Sequence, residues 1–446
     1  MTDALKLSAD TRRETLSQRR ILMFWLPLAA SWLLMTTEMP FVNAAIARLP
    51  NAQTMIAGLG IVASISITIE SPVIMLLATA TALASHRQAY LTLRRFTIHL
   101  MWLTTIVQAW VGFTPLYDVI VRGWMHIPPA VADAAQPGIQ ILTLWSAAIA
   151  WRRFKQGVMI RYGQTRLIGV GTVVRLIASA GTATVLAVSA AQGWISITGV
   201  ALGGVALMVG VLAEAAYVQW VAAPVINQNL SSTDSPLPVL TYTELVKYHS
   251  PLAAVSLLTL LGQPLVGAAL ARAAHPEPSL AAWPVVYGLL SIFRSGSYAL
   301  PEAVIALQLG PGTLPPLRRF CYNVGWVTSG LLLLMGMTPL AALYMSGIIG
   351  ISPDLTALAL PGVLLGVALP FISSVQSYLR GVLMGRHETN AVYQAMMINL
   401  ITLAVGLALG VWQTWPGVAL AVGALTVSLV TEGAFLAWRV GRRGGR

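Results

Sequence analysis

Apolar runs long enough to cross a bilayer, which takes about 20 residues, follow one another along nearly the whole chain, separated by short polar breaks. Twelve helices are expected, at 21–47, 53–84, 90–113, 137–158, 165–190, 194–221, 243–271, 279–308, 317–347, 354–384, 388–411 and 415–439. Several exceed the length needed to span, which predicts tilts or kinks. Pro27, Pro40, Pro72, Pro251, Pro264 and Pro370 fall inside them. An internal proline removes a backbone hydrogen bond and bends its helix. At membrane depth this is tolerated where neighbouring helices or a polar cavity satisfy the freed carbonyls. Pro40 and Pro264 are the expected helix breaks. The first apolar run is longer than the ~7–15-residue core of a cleavable signal peptide, so it reads as a retained helix.

The pattern repeats at a spacing of 224 residues. Pro27-Leu28-Ala29-Ala30 returns as Pro251-Leu252-Ala253-Ala254, and Pro40 returns as Pro264. Leu93-Arg94-Arg95-Phe96 returns as Leu317-Arg318-Arg319-Phe320. After a six-residue shift, Glu214 and Trp220 fall on Glu432 and Trp438. Each repeat holds an even number of helices, so both halves enter the membrane in the same sense. The expectation is an all-α polytopic protein of two parallel six-helix repeats, related by a pseudo-twofold axis along the membrane normal. The expected organisation is an N-terminal segment (1–20), a first bundle (21–221), a polar linker (222–242), a second bundle (243–439) and a basic tail (440–446).

Composition agrees. The chain is 57% hydrophobic and 9% charged, where soluble domains carry about 25% charged residues. Its net charge of +12 would suggest nucleic acid in a soluble protein. Placing the N-terminus in the cytoplasm puts 22 of the 27 lysines and arginines inside, Arg152, Arg153 and Lys155 among them, and leaves only Arg48, Arg122 and Arg272 outside. That is the positive-inside pattern, and it accounts for the charge without nucleic acid. It predicts a cell-membrane protein with both termini cytoplasmic. The one cysteine, Cys321, excludes an internal disulfide, and the six histidines make no metal-ligand spacing. No GxxxxGK[ST] phosphate loop, GxSxG or HExxH occurs. No cofactor is expected, and no catalytic constellation supports an enzyme.

Charges inside the membrane are costly and therefore candidates for function. Glu38 lies two residues before Pro40, with Asn43 near it on the chain, and its repeat counterpart is Gly262. A desolvated carboxylate there can carry a proton or ligate sodium as a cavity alternates. The competing reading is a carboxyl bonded to neighbouring helices for packing. Glu70 and Arg294 are repeat counterparts. They either pair across the halves and part during a cycle, or Arg294 holds an anionic substrate group that Glu70 tunes. Glu302 follows Arg294 by about two turns of the same helix. Arg175, the counterpart of Asn399, has Glu38, Glu70 and Glu214 as possible partners. The duplicated Glu214 and Glu432, near helix ends, read as structural anchors. The paired arginines 94–95 and 318–319 read as topology signals and headgroup contacts.

The stretch LPLAASWLLMTTEMPFVNAAIARLP (Leu26 to Pro50) resembles the first helix of the multidrug/oligosaccharidyl-lipid/polysaccharide (MOP) flippase superfamily. Within it, the stretch looks similar to helix 1 of the multidrug and toxic compound extrusion (MATE) proteins and of progressive-ankylosis-like exporters. Pro27-Leu28, the mid-helix acid Glu38, Asn43 and the recurrence of Pro-Leu at Pro251-Leu252 carry the likeness. The resemblance implies a central cavity between two bundles and alternating access, with Glu38 matching the acid linked to proton or sodium coupling. Sodium-coupled members also use acids in helices 7 and 10. Here Gly262-Gln263 stand in the seventh helix and the tenth has no acid, so that site is not supported. Two functions remain open. One is export of a small organic ion or drug-like molecule, with Glu38 carrying the proton and an arginine suiting an anion. The other is flipping of a lipid-linked oligosaccharide or polysaccharide precursor.

Overall fold

The computed structural model describes residues 16–230, 239–308, 310–386 and 388–444. Most of the expected N-terminal segment, the middle of the linker and the end of the tail lie outside them. The described residues form helices and no strands.

Among the described residues, ten helical rods are long and apolar enough to cross a membrane. They are α1 (Gln18–Ile46), α2 (Ala52–Leu83), α3 (Arg87–Phe113), α5 (Thr165–Ala191), α6 (Gly199–Asn229), α7 (Tyr242–Leu270), α9 (Leu314–Met337), α10 (Pro353–Gly385), α11 (Thr389–Trp412) and α12 (Gly417–Gly444). Two further rods, α4 (129–161, with a 3-10 turn at 142–144) and α8 (276–307, interrupted at Ala299), lie where two more helices were expected. They are less apolar because they carry Arg152, Arg153, Lys155 and Arg294, and they pack against several other rods instead of facing lipid. Large apolar side chains cover the outer surface, among them Trp102, Ile106 and Ile177, each more than half exposed. A surface of that kind suits hydrocarbon, not water. This is a multi-pass membrane protein.

The repeat survives in three dimensions. The second piece of α2, Leu76–Leu83, corresponds at the 224-residue spacing to the second piece of α8, Leu300–Leu307. The 3-10 turn at 142–144 returns at 366–368. A π-helix at 118–124 returns at 343–349. Neither π-helix was expected. The helix predicted over 317–347 ends at Met337 because Pro339 forces Thr338 into extended backbone (φ −115°, ψ 167°). The start of the expected linker is helical to Asn229, because Ala222, Val225 and Ile226 are buried and continue the apolar face of α6. The two proline breaks differ. α7 is interrupted at Leu261, just before Pro264. α1 runs through Pro40 without interruption, a correction to the expected break, and its ring rests against Gly288 of α8.

α1 and α7 each cross the seam between the halves. Near the termini, α1 packs on α8 and α9, and α7 packs on α2 and α3. There Trp25 Nε1 donates to Gly296 O (2.9 Å), and at the matching positions His249 Nε2 bonds Pro72 O (3.0 Å). On the opposite face Arg48, past the end of α1, donates to the carbonyls of Ile348 (3.3 Å) and Ile349 (3.4 Å). Arg272, past the end of α7, donates to those of Trp124 (2.6 Å) and Met125 (3.0 Å).

Candidate functional site

The buried charges gather mainly in the first half. Glu38 of α1 and Arg175 of α5 form a two-point pair: Nε donates to Oε1 at 3.0 Å and Nη2 to Oε2 at 2.6 Å. Planar guanidinium and carboxylate match in this arrangement, the strongest form of charge-assisted hydrogen bond. The third nitrogen of Arg175, Nη1, lies 4.0 Å from Glu214 Oε2 on α6. Glu214 is fully buried. It accepts from Arg152 Nη1, and from Gln156 Nε2 at 3.1 Å, both on α4. The Arg175 guanidinium also sits over the Trp145 ring, 5.4 Å from its centroid. Trp145 Nε1 in turn donates to Glu70 Oε2 on α2.

Close helix packing makes this network possible. A Cβ on Gly210 of α6 would stand 2.8 Å from Ser179 Cβ, 3.1 Å from Arg175 O and 3.3 Å from Glu38 Oε1. Only a glycine lets α6 approach α5 and the Glu38 carboxylate together.

The second half answers with fewer charges. Its equivalents of Glu38 and Arg175 are Gly262 and Asn399, and Asn399 Nδ2 donates to Ser428 Oγ at 3.4 Å. Glu432, the counterpart of Glu214, accepts from Arg380, which stands where the first half has Gln156. So the duplicated glutamates do serve as anchors between α4 and α6 and between α10 and α12.

Arg294 of α8 is buried, donates from Nε to Ser373 Oγ on α10 at 2.8 Å, and lies 5.5 Å from the Tyr298 ring centroid. The ion pair between Glu70 and Arg294 is not formed: Glu70 turns to Trp145 within its own half, and Arg294 to Ser373 within its own. Glu302 is not on a continuous helix with Arg294, since α8 breaks at Ala299. Its carboxylate faces Trp32 of α1 and lies in the field of Arg153 of α4. Trp32 packs on Tyr298, with centroids 5.4 Å apart. Asn43 is buried, its Oδ1 finds no donor, and it does not join Glu38. Five residues on a helix turn through about 500°, which carries it to another side.

Hydropathy reasoning missed Arg152 and Lys155. Both were assigned to the cytoplasmic charge bias, yet each is under 5% exposed, inside α4. Lys155 Nζ donates to Tyr90 Oη at 2.9 Å and lies over the Trp151 ring. A trace was present in the repeat, where Arg152 and Gln156 exchange residue types with Gln376 and Arg380.

No family model matches the chain, and no curated protein matches it. Solved structures do. An inward-facing multidrug resistance MATE transporter of the MOP superfamily superimposes with a TM-score of 0.68 at 10% identity, over 91% of this chain and 95% of that one. The lipid II flippase MurJ, in an inward closed conformation, gives 0.70 at 8% identity, over 93% and 87%. A MOP-superfamily transporter from Pyrococcus furiosus gives 0.63 at 12% identity, over 94% and 95%. At such identities the likeness is one of architecture, and it covers nearly the full length on both sides. The fold of this chain is that of the MATE transporters of the MOP superfamily and of the flippase MurJ.

Proposed function

We propose that this chain is a secondary transporter that moves a small organic ion between the two membrane faces by alternating access, with the Glu38–Arg175 pair as its coupling element. The observation that carries this reading is the asymmetry of the repeat. A buried ion pair is weak evidence for stability, because desolvation offsets its attraction. The second half builds the same helix pairs with Gly262 and Asn399, so the architecture does not require the pair. A charge retained in one half alone has another use.

The geometry supports a simple cycle. A proton arriving at Glu38 removes its charge and weakens both bonds to Arg175. Arg175 then has Glu214 as its nearest remaining acid, 4.0 Å away. α1, freed from α5, keeps its bond to α8 through Trp25 and its stacking of Trp32 on Tyr298. Protonation thus loosens α1 from its own half while its contacts with the other half are kept. Arg294, with no acid partner among the described residues, is the group best suited to hold an anionic substrate.

A second reading is flipping of a lipid-linked saccharide precursor. Interior cations favour it: Arg153 Nε finds no acceptor, and Arg294 bonds only a hydroxyl and an aromatic face. One experiment addresses both. Cells lacking their major efflux pumps express the wild type, Glu38→Gln or an empty vector, and spent medium and lipid-linked intermediates are compared. A soluble compound enriched outside with the wild type but not with Glu38→Gln is expected. Equal export by the variant would remove Glu38 from coupling. A change confined to lipid-linked intermediates would replace export by flipping.

A further inference from the structure

At the face that carries the termini, a cavity of about 550 Å³ opens between α1 and α9. That volume is in the range of small-ligand sites, about 300–1,000 Å³. Its wall is apolar, made by Leu22, Trp25, Phe320, Val324 and Val327, and two arginines, Arg19 and Arg319, stand at its mouth. Both are exposed, and neither has an acid partner among the described residues.

The repeat supplies an internal control. The matching position in the other half lies between α7 and α3, and there the space is plugged. Tyr242 packs on Phe96 (centroids 5.7 Å apart) and its hydroxyl bonds His99 Nδ1 at 2.8 Å. The counterparts of Tyr242, Phe96 and His99 are Gln18, Phe320 and Asn323. Gln18 is too small to fill the space, and its amide turns away to donate to Pro316 O at 2.8 Å. Trp25 still packs on Phe320 (5.5 Å), as His249 does on Phe96 (5.0 Å), so the groove walls are conserved between halves while the plug is not. The charge differs in the same direction. Arg319 has its counterpart in Arg95, but Arg19 stands where the plugged groove has Thr243. The half that leaves its groove open has also gained a second cation at the mouth.

We propose that this groove is a binding site for an anionic phospholipid. The acyl chain lies along Leu22, Trp25 and Phe320, and the phosphate sits between Arg19 and Arg319. Basic pockets between membrane helices hold anionic headgroups, at about 1 kcal/mol per arginine. The apolar wall suits an acyl chain, which a free inorganic phosphate lacks. The site touches α1 of one half and α9 of the other, so a bound lipid stabilises this arrangement of the seam. The inference rests on the membrane placement and not on the substrate or the coupling ion.

Native mass spectrometry of the full-length protein, titrated with phosphatidylglycerol or phosphatidylcholine, tests it. The wild type is expected to retain one phosphatidylglycerol in preference to phosphatidylcholine. The double variant Arg19→Thr/Arg319→Thr is expected to weaken that retention roughly thirty-fold, on the basis of about 1 kcal/mol per charge. Arg19→Lys/Arg319→Lys is expected to keep most of it. Gln18→Tyr, which installs the plug of the other half, is expected to abolish it while leaving the arginines in place. Equal retention of the two lipids, or an equal loss in Arg94→Thr/Arg95→Thr on the same face, would mean only general surface charge and overturn the proposal.

Discussion

Arg48 and Arg272 make the same bond on opposite sides of the seam. Each follows the last turn of a helix that crosses between the halves, and each reaches two carbonyls at the end of the other half's π-helix. Each also returns to its own helix, Arg48 to Ala44 O and Arg272 to Ala268 O. Helix ends leave carbonyls unpaired and carry partial negative charge, so a guanidinium there satisfies both. At the face with the termini, Trp25 and His249 form a second matched pair of cross-seam bonds. Arg272 also contacts His126 Nδ1 at 2.7 Å, a bond that Arg48 lacks.

The alternating access proposed above requires these two sets to open in turn. Arg48→Ala/Arg272→Ala is expected to raise the population open at the arginine face, by about fivefold per arginine for roughly 1 kcal/mol of lost bonding each. Spin labels at the matched exposed positions Val119 and Leu343, in a Cys321→Ala background, report this as a longer distance component. Trp25→Phe keeps the ring on Phe320 but removes the Nε1 donor, and is expected to shift the population the other way. If both variants move it in one direction, the two sets are not opposing gates.

The Arg152–Glu214 pair is buried on both sides, with 4% and 1% of the side chains exposed. Removing one partner leaves an uncompensated buried charge, which costs about 3–5 kcal/mol. Arg152→Met or Glu214→Gln alone is therefore expected to lower the melting temperature in detergent sharply. The double variant is expected to recover most of the loss. Arg380→Met is expected to cost less than Arg152→Met, since Arg380 is 27% exposed and water can reach the charge beside Glu432. Equal losses for the two arginines would count against burial as the cause.

Gly210→Ala places a methyl group 2.8 Å from Ser179 Cβ. α5 and α6 must separate, at a cost of about 1–3 kcal/mol. The same methyl group crowds Glu38 Oε1, so the Glu38–Arg175 bonds are expected to lengthen and transport to fall. Ser179→Gly removes the nearest clash and is expected to restore stability in the double variant. Thermal melts and proteoliposome uptake of the three variants check both effects.

The all-helical membrane architecture, the repeat and the candidate acids were legible in the sequence because apolar length and residue type report depth. The repeat register was also enough to match Arg48 with Arg272 and, after its six-residue shift, Glu214 with Glu432. Pairing was not legible. Arg175 had three acids within plausible reach, and the choice of Glu38 follows from how α5 and α6 are rotated and how closely Gly210 lets them pack. Glu70 and Arg294 share a depth but face their own halves. Arg152 and Lys155 lie near a helix end, where a charge count assigns them to water, and only the packing of α4 among α2, α3 and α6 turns them inward. The open groove beside Trp25 shows the limit most plainly. Gln18 and Tyr242 are one repeat apart in the sequence, but that one leaves a cavity and the other fills it is decided by side-chain volume against a neighbouring helix. A linear pattern does not carry that information.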